Sequence, residues 1–192
     1  MFKKIFSLGL LAFTLLVSAC SSATSISSTL DSSPIKIEIS FKDYGLVEAE
    51  LYPAIAPITV TNFVKLIESK FYDGLTIHRV IKGFVIQGGD PNGDGTGGSK
   101  DTILGEFLAN GFDNTLKHGP GVLSMARSER YNSASSQFFI VHEEASFLNN
   151  FYAAFGKVTQ GLEVIDTIAN LETGENDRPV EPVIIEYIKI KK

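Results

Sequence analysis

His78-Arg79 and Gln87 flank Phe84 and Val85 in one dense stretch, Ile77-His78-Arg79-Val80-Ile81-Lys82-Gly83-Phe84-Val85-Ile86-Gln87-Gly88-Gly89-Asp90. A guanidinium beside a side-chain amide, set among aromatic and aliphatic groups, offers charged hydrogen-bond donors against an apolar wall. Such a pairing can stabilise electron density that develops on a substrate atom without forming a bond to it. Arg79 alone reads as a structural ion pair at a strand end. His78 reads as a residue that fixes a turn or a core hydrogen bond. Two further segments carry the same mixture downstream. Gly119-Pro120-Gly121-Val122-Leu123-Ser124-Met125-Ala126 leads to Ser136-Gln137-Phe138-Phe139-Ile140, and Phe155-Gly156-Lys157-Val158 follows. Phe138 and Phe139 point to opposite faces of a strand, so only one of them faces any site.

Other chemistries find little support. His142-Glu143 begins like a zinc-protease helix, but Ser146 stands where the second histidine belongs. The single cysteine, Cys20, excludes an intrachain disulfide and cysteine-rich metal sites. Gly88–Gly98 is not a phosphate loop, because Gly97-Gly98-Ser99-Lys100 has the wrong order. Asp90, Asn92, Asp94, Gly95 and Asp101 match positions 1, 3, 5, 6 and 12 of an EF-hand loop. Pro91, the final Asp and the missing helix before the loop favour a plain glycine-rich surface loop. No metal or cofactor is expected. The net charge of −5 argues against a nucleic-acid partner, and against a polybasic membrane contact.

The elements that position these groups read as mainly β. Ile35–Ile39 alternates strictly, and Leu46–Leu51 alternates again after the Tyr44-Gly45 turn, which predicts a hairpin. Pro57 opens a helix with Val60, Phe63, Val64 and Ile67 at helical spacing, and Gly74 lies beyond its end. Strand-like runs follow at Leu75–Ile81, Phe84–Gln87, Gly121–Ala126, Gln137–Val141, Ala153–Val158 and Val183–Ile190. A second helix fits Leu162–Leu171, with Leu162, Ile165, Ile168 and Leu171 on one face. Many short strands, glycine-rich turns and two helices predict a closed barrel or sandwich capped by helices.

From about Ile35 to the C-terminus, these three segments in this order and spacing resemble the cyclophilins. The resemblance implies an eight-stranded antiparallel closed β-barrel capped by two α-helices, with substrate on its outer face. It implies a peptidyl-prolyl cis/trans isomerase with Arg79 as the catalytic arginine and Gln87 as its support. It places the proline pocket on Phe84, Val85, Phe139 and Leu148, with Phe147 and Tyr152 beside it. Ala126 and Arg127 match the short strand whose backbone pairs with the peptide. The family usually has methionine at Val85 and often has asparagine at Arg127. It often has tryptophan at Phe147 and histidine at Tyr152. The loss of an indole N–H at Phe147 predicts weakened binding of the cyclic peptide cyclosporin.

The implied reaction suits these residue types. Rotation about an X–Pro bond faces a barrier near 20 kcal/mol, and no bond is made or broken. A donor aimed at the prolyl nitrogen stabilises the pyramidal nitrogen that exists only when amide resonance is lost. The alternative is a non-catalytic binder or chaperone for proline-containing segments. Retention of Arg79, Gln87 and Phe139 favours the enzyme.

The N-terminus reads as an address. Lys3 and Lys4 precede the uncharged apolar run Ile5–Val17, which is short for a membrane span and fits a signal peptide. Leu16-Val17-Ser18-Ala19-Cys20 resembles the bacterial lipobox, which implies cleavage after residue 19 and lipid on Cys20. Losing Met1–Ala19 removes two lysines and no acid, which takes the charge from −5 to −7. Residues 20–33 then form a Ser-rich tether, about 40 Å long if extended. Residues 34–192 form the isomerase domain. The expected partners are proline-containing polypeptides and a membrane reached through the lipid. The expected location is the extracytoplasmic side of a bacterial envelope.

Overall fold

Ile35–Phe41 (β1) and Gly45–Leu51 (β2) form the predicted hairpin, closed by Tyr44 N–H donating to Phe41 O at 3.1 Å. In the computed structural model, which describes residues 32–191, their alternation delivers Ile37, Ile39, Phe41, Val47, Ala49 and Leu51 into one core. The signal segment, Cys20 and the tether up to residue 31 lie outside the described residues. The other strands are Thr76–Ile81 (β3), Val85–Asp90 (β4), Val122–Met125 (β5), Phe138–Val141 (β6), Ala154–Gln160 (β7) and Val183–Ile190 (β8). Among the described residues these eight strands close antiparallel in the order β1-β2-β7-β5-β6-β4-β3-β8, with β8 back on β1. Closure leaves no sheet edge unpaired.

Among the described residues two α-helices pack on the barrel, Pro57–Glu68 (α1) and Leu162–Ala169 (α2). The N-terminus of α1 has no local side-chain cap. The buried Glu106 serves instead, its two carboxylate oxygens accepting Ile58 N–H at 2.9 Å and Thr59 N–H at 2.8 Å. Phe63 enters the core between Tyr72, Phe138 and Phe155, with ring centroids 4.9, 5.3 and 4.9 Å away.

Gly74 lies beyond the end of α1, as the sequence reading placed it, and a nearer residue closes the helix. Lys70 takes the left-handed conformation at φ 57° and donates to Ile67 O, while Phe71 N–H reaches Leu66 O. This is a Schellman closure built without glycine. Helix α2 stops at Ala169, short of Leu171, and Leu162 is exposed. Its buried stripe is Val164, Ile165, Ile168 and Ala169, and the 100° step per residue leaves Leu162 at the edge of that stripe.

Candidate active site

The aim of Arg79 depends on an irregularity in β3. Strict alternation would put Ile77 and Arg79 on the same face. Instead the β3–β4 register shifts between them, a bulge at His78. Ile77 and Val80 therefore both join the barrel core, and Arg79 turns to the outer surface. Strand β4 keeps its alternation, with Ile86 inside and Val85 and Gln87 outside. Gly88 then faces inward where a Cβ would lie 2.7 Å from Ile77 Cδ1. Strand β6 likewise sends Phe138 into the core and Phe139 outward. Cross-strand register sets Arg79 opposite Gln87, Gln87 opposite Phe139 and Phe139 opposite Ser124. Four strands thus lay the site out as one row across the barrel's outer face.

Beneath that row lies a second, smaller apolar cluster of Val85, Val122, Phe139, Val141, Ala145, Leu148 and Ala154. It floors a cleft of about 580 Å³ lined by Arg79, Phe84, Val85, Gln87, Ala126, Arg127, Phe139, Phe147, Leu148, Phe151 and Tyr152. All ten residues named as catalytic or substrate-binding meet there. Phe151, which the sequence reading missed, joins them. Phe84, next to the β3–β4 turn, packs on Phe147 at 5.3 Å between ring centroids. Phe147 stays 67% exposed on a short 3₁₀ turn, Ser146–Leu148, whose Leu148 is buried. Phe139 meets Tyr152 edge-on at 5.9 Å.

The polar partners differ from expectation. Gln87 does not brace Arg79: its Nε2 donates to Gln137 Oε1 at 2.9 Å. Gln137 Nε2 in turn donates to Gly95 O and Gly97 O, tying the row to the glycine-rich loop. Arg79 Nε donates to Asp177 Oδ2 at 3.2 Å, from a loop 98 residues away. Ala126 and Arg127 lie just past the end of β5, and Ala126 N–H already donates to Gln137 O. The Arg127 guanidinium bends back onto Phe151 O, Ser128 O and Glu129 O. It also lies over the rings of Tyr152, Tyr131 and Phe107 at 4.5, 5.1 and 5.2 Å. That side chain holds the rim of the cleft together.

His78 is buried, yet neither ring nitrogen finds a hydrogen-bond partner among the described residues. The expected turn or core hydrogen bond does not form among the described residues, and Nε2 lies 4.0 Å from where a Cβ on Gly95 of the glycine-rich loop would stand. Burial holds His78 below the ordinary imidazole range, against the pull of Asp90. His118, passed over in the sequence, backs the site. Its Nδ1–H donates to Asn149 Oδ1 at 3.0 Å, so Nε2 accepts from Ser124 Oγ at 2.9 Å. Its ring stacks on Phe139 at 6.1 Å. His142 accepts Gly83 N–H at 3.0 Å and meets Asp166 of α2 at 2.9 Å, a clip between the β3–β4 turn and the helix.

The acidic loop is organised inward. The buried Asp90 carboxylate accepts N–H groups from Asn92, Asp94 and Gly95. Burial opposes its charge, but these amides outweigh it and hold its carboxyl below the usual range. Asp94 Oδ1 accepts from Thr96. Among the described residues, no group of three or more His, Cys, Asp or Glu could hold a metal ion. Beyond Arg127 the cleft continues into a polar groove of about 370 Å³ walled by Gly95–Ser99, Ser128, Ser133, Ser135 and Gln137.

The family described as cyclophilin type peptidyl-prolyl cis-trans isomerase/CLD matches residues 35–190, the whole barrel and both helices. The chain belongs to the cyclophilin-type isomerases. It is 51% identical over 129 residues to peptidyl-prolyl cis-trans isomerase B of Bacillus subtilis, covering 67% of this chain and 87% of that one. A crystal structure of a Cryptosporidium parvum cyclophilin type isomerase superposes with TM-score 0.77 at 33% identity, covering 83% of this chain and 99% of that one. A second structure of that protein, in the presence of the dipeptide Ala-Pro, superposes with TM-score 0.75 at 34% identity. It covers 82% of this chain and 99% of the other. The domain is therefore a peptidyl-prolyl cis/trans isomerase, and its barrel is the cyclophilin barrel that the resemblance implied.

Proposed function

We propose that this isomerase accelerates X–Pro rotation in proteins outside the cytoplasm and so assists their folding, with Arg79 as the catalytic residue. The observation that carries the assignment is one guanidinium at the edge of an apolar cleft floored by Phe139, Leu148 and Val85. The floor grips a proline ring by burial. Arg79 Nη1 and Nη2 have no protein hydrogen-bond partner among the described residues, which leaves them free to donate to the prolyl nitrogen as resonance is lost. The related protein crystallised in the presence of Ala-Pro supports a ligand of this size and type. The polar groove beyond Arg127 gives room for residues flanking the proline, so the substrate is a chain segment.

Exchange spectroscopy on a short Ala-Pro peptide with the full chain tests the enzyme. Wild type speeds exchange, and Arg79→Ala loses about ten- to a hundredfold, the worth of one charged hydrogen bond. Equal rates would leave pocket and backbone contacts as the mechanism.

The location rests on Lys3, Lys4, the apolar run and the placement of the lone Cys20. Lipid on Cys20 would anchor the chain, with residues 20–33 as its tether and the domain on the extracytoplasmic side. Labelled palmitate should enter the wild-type protein and not Cys20→Ser. Label in both, or in neither, removes the anchor. We also propose that cyclosporin inhibits weakly, since Phe147 offers no N–H donor.

A further inference from the structure

Arg79 reaches its cleft on a long side chain with many rotamers, of which few aim a donor at one substrate atom. Gln87 does not hold it. Asp177 does, and by the inner nitrogen: Nε–H donates to Oδ2 at 3.2 Å. A carboxylate placed across the terminal nitrogens would occupy the donors the reaction needs. Held at Nε, the guanidinium plane is oriented while Nη1 and Nη2 remain open.

The loop carrying Asp177 is shaped around this contact. Asn176 and Asp177 are consecutive non-glycine residues at φ 59° and 58°, a left-handed pair that L-residues rarely adopt. Surrounding bonds impose it. Thr173 bridges Pro179, Gly174 N–H donates to Arg178 O at 2.8 Å, and Val180 N–H donates to Glu172 O at 2.9 Å. Arg178 Nη2 donates to Gly93 O at 2.7 Å, which fastens the loop to the glycine-rich loop beside the site. Backbone strain held by its surroundings next to a working group is a mark of function.

We infer that Asp177 is a positioning residue for the isomerase, orienting the Arg79 guanidinium toward the prolyl nitrogen. The inference rests on the catalytic reading of Arg79 given above. Both side chains are partly exposed, at 39% and 47%, so the pair adds little to stability and the contact acts on orientation.

Two variants separate charge from backbone. Asp177→Asn keeps the size and the tolerance of left-handed φ. Asp177→Gly removes the side chain and relieves the strain. The full chain and both variants are assayed for kcat and KM on a neutral Ala-Pro peptide. Water exchange of the Arg79 Nε–H is followed by NMR, its resonance identified by loss in Arg79→Lys. Expected are a kcat lower by about fivefold in both variants, an unchanged KM and faster Nε–H exchange. Unchanged kcat overturns the inference, even if Nε–H exchange quickens. So does unchanged Nε–H exchange, which would mean that no pair exists in solution. Arg79→Ala is assayed beside them: a kcat unchanged in Arg79→Ala overturns the reading of Arg79, whereas a kcat lost in Arg79→Ala but unchanged in Asp177→Asn overturns the role of Asp177 alone.

Discussion

Phe147 shows how one side chain sets the character of the cleft. It stands on the rim, 67% exposed, against Phe84. Its ring adds apolar contact but cannot donate a hydrogen bond, whereas an indole could. Phe147→Trp should tighten cyclosporin inhibition by about tenfold, the worth of one added hydrogen bond of roughly 1 kcal/mol with its ring contact. An inhibition titration of both proteins measures it. Unchanged inhibition would remove Phe147 as a determinant of cyclosporin binding.

At the scale of elements, α1 depends on a residue far from it in sequence. Glu106 is fully buried and satisfies two N–H groups at the first turn of the helix. Its own main chain is held by Asn114 Nδ2, which also donates to Ala154 O. Glu106→Ala leaves Ile58 and Thr59 N–H groups unpaired and should cost about 2 kcal/mol of stability. Glu106→Gln keeps one acceptor and should cost less. Urea unfolding ranks the three proteins, and an alanine variant as stable as wild type contradicts the role. The β3 bulge is the matching device for the site, because it separates the face of Arg79 from that of Ile77.

The whole molecule carries a pH dependence in its buried imidazoles. Burial holds His78 and His118 below the ordinary imidazole range; Asp90 opposes this at His78, and Asn149 with Glu144 opposes it at His118. The unfolded chain therefore binds these protons at higher pH than the folded one. Their contribution to stability is complete above about pH 6.5 and shrinks as pH falls through the unfolded value toward the folded ones. Urea midpoints should stay level from pH 8 to 7 and decline between about 6.5 and 5. A level midpoint down to pH 5 would contradict it.

Most of the architecture was legible because its signals are local. Alternation in β1 and β2 and the helical spacing of Val60, Phe63 and Ile67 each need only a few neighbouring residues. The ten site residues were named through the resemblance to the cyclophilins, which transfers positions without geometry, and all ten line the one cleft. Their partners were not legible. Asp177 reaches Arg79 across 98 residues, and Gln87 turns to Gln137 across 50. Glu106 caps a helix that begins 49 positions before it. No period or turn rule joins such distant positions, since only barrel closure brings them within hydrogen-bond range. The bulge at His78 was hidden for the same reason, because register belongs to a pair of strands and is written in neither one. Residue types and their order determined the family and the cleft's membership. Tertiary structure decided which group holds the arginine and which way it points.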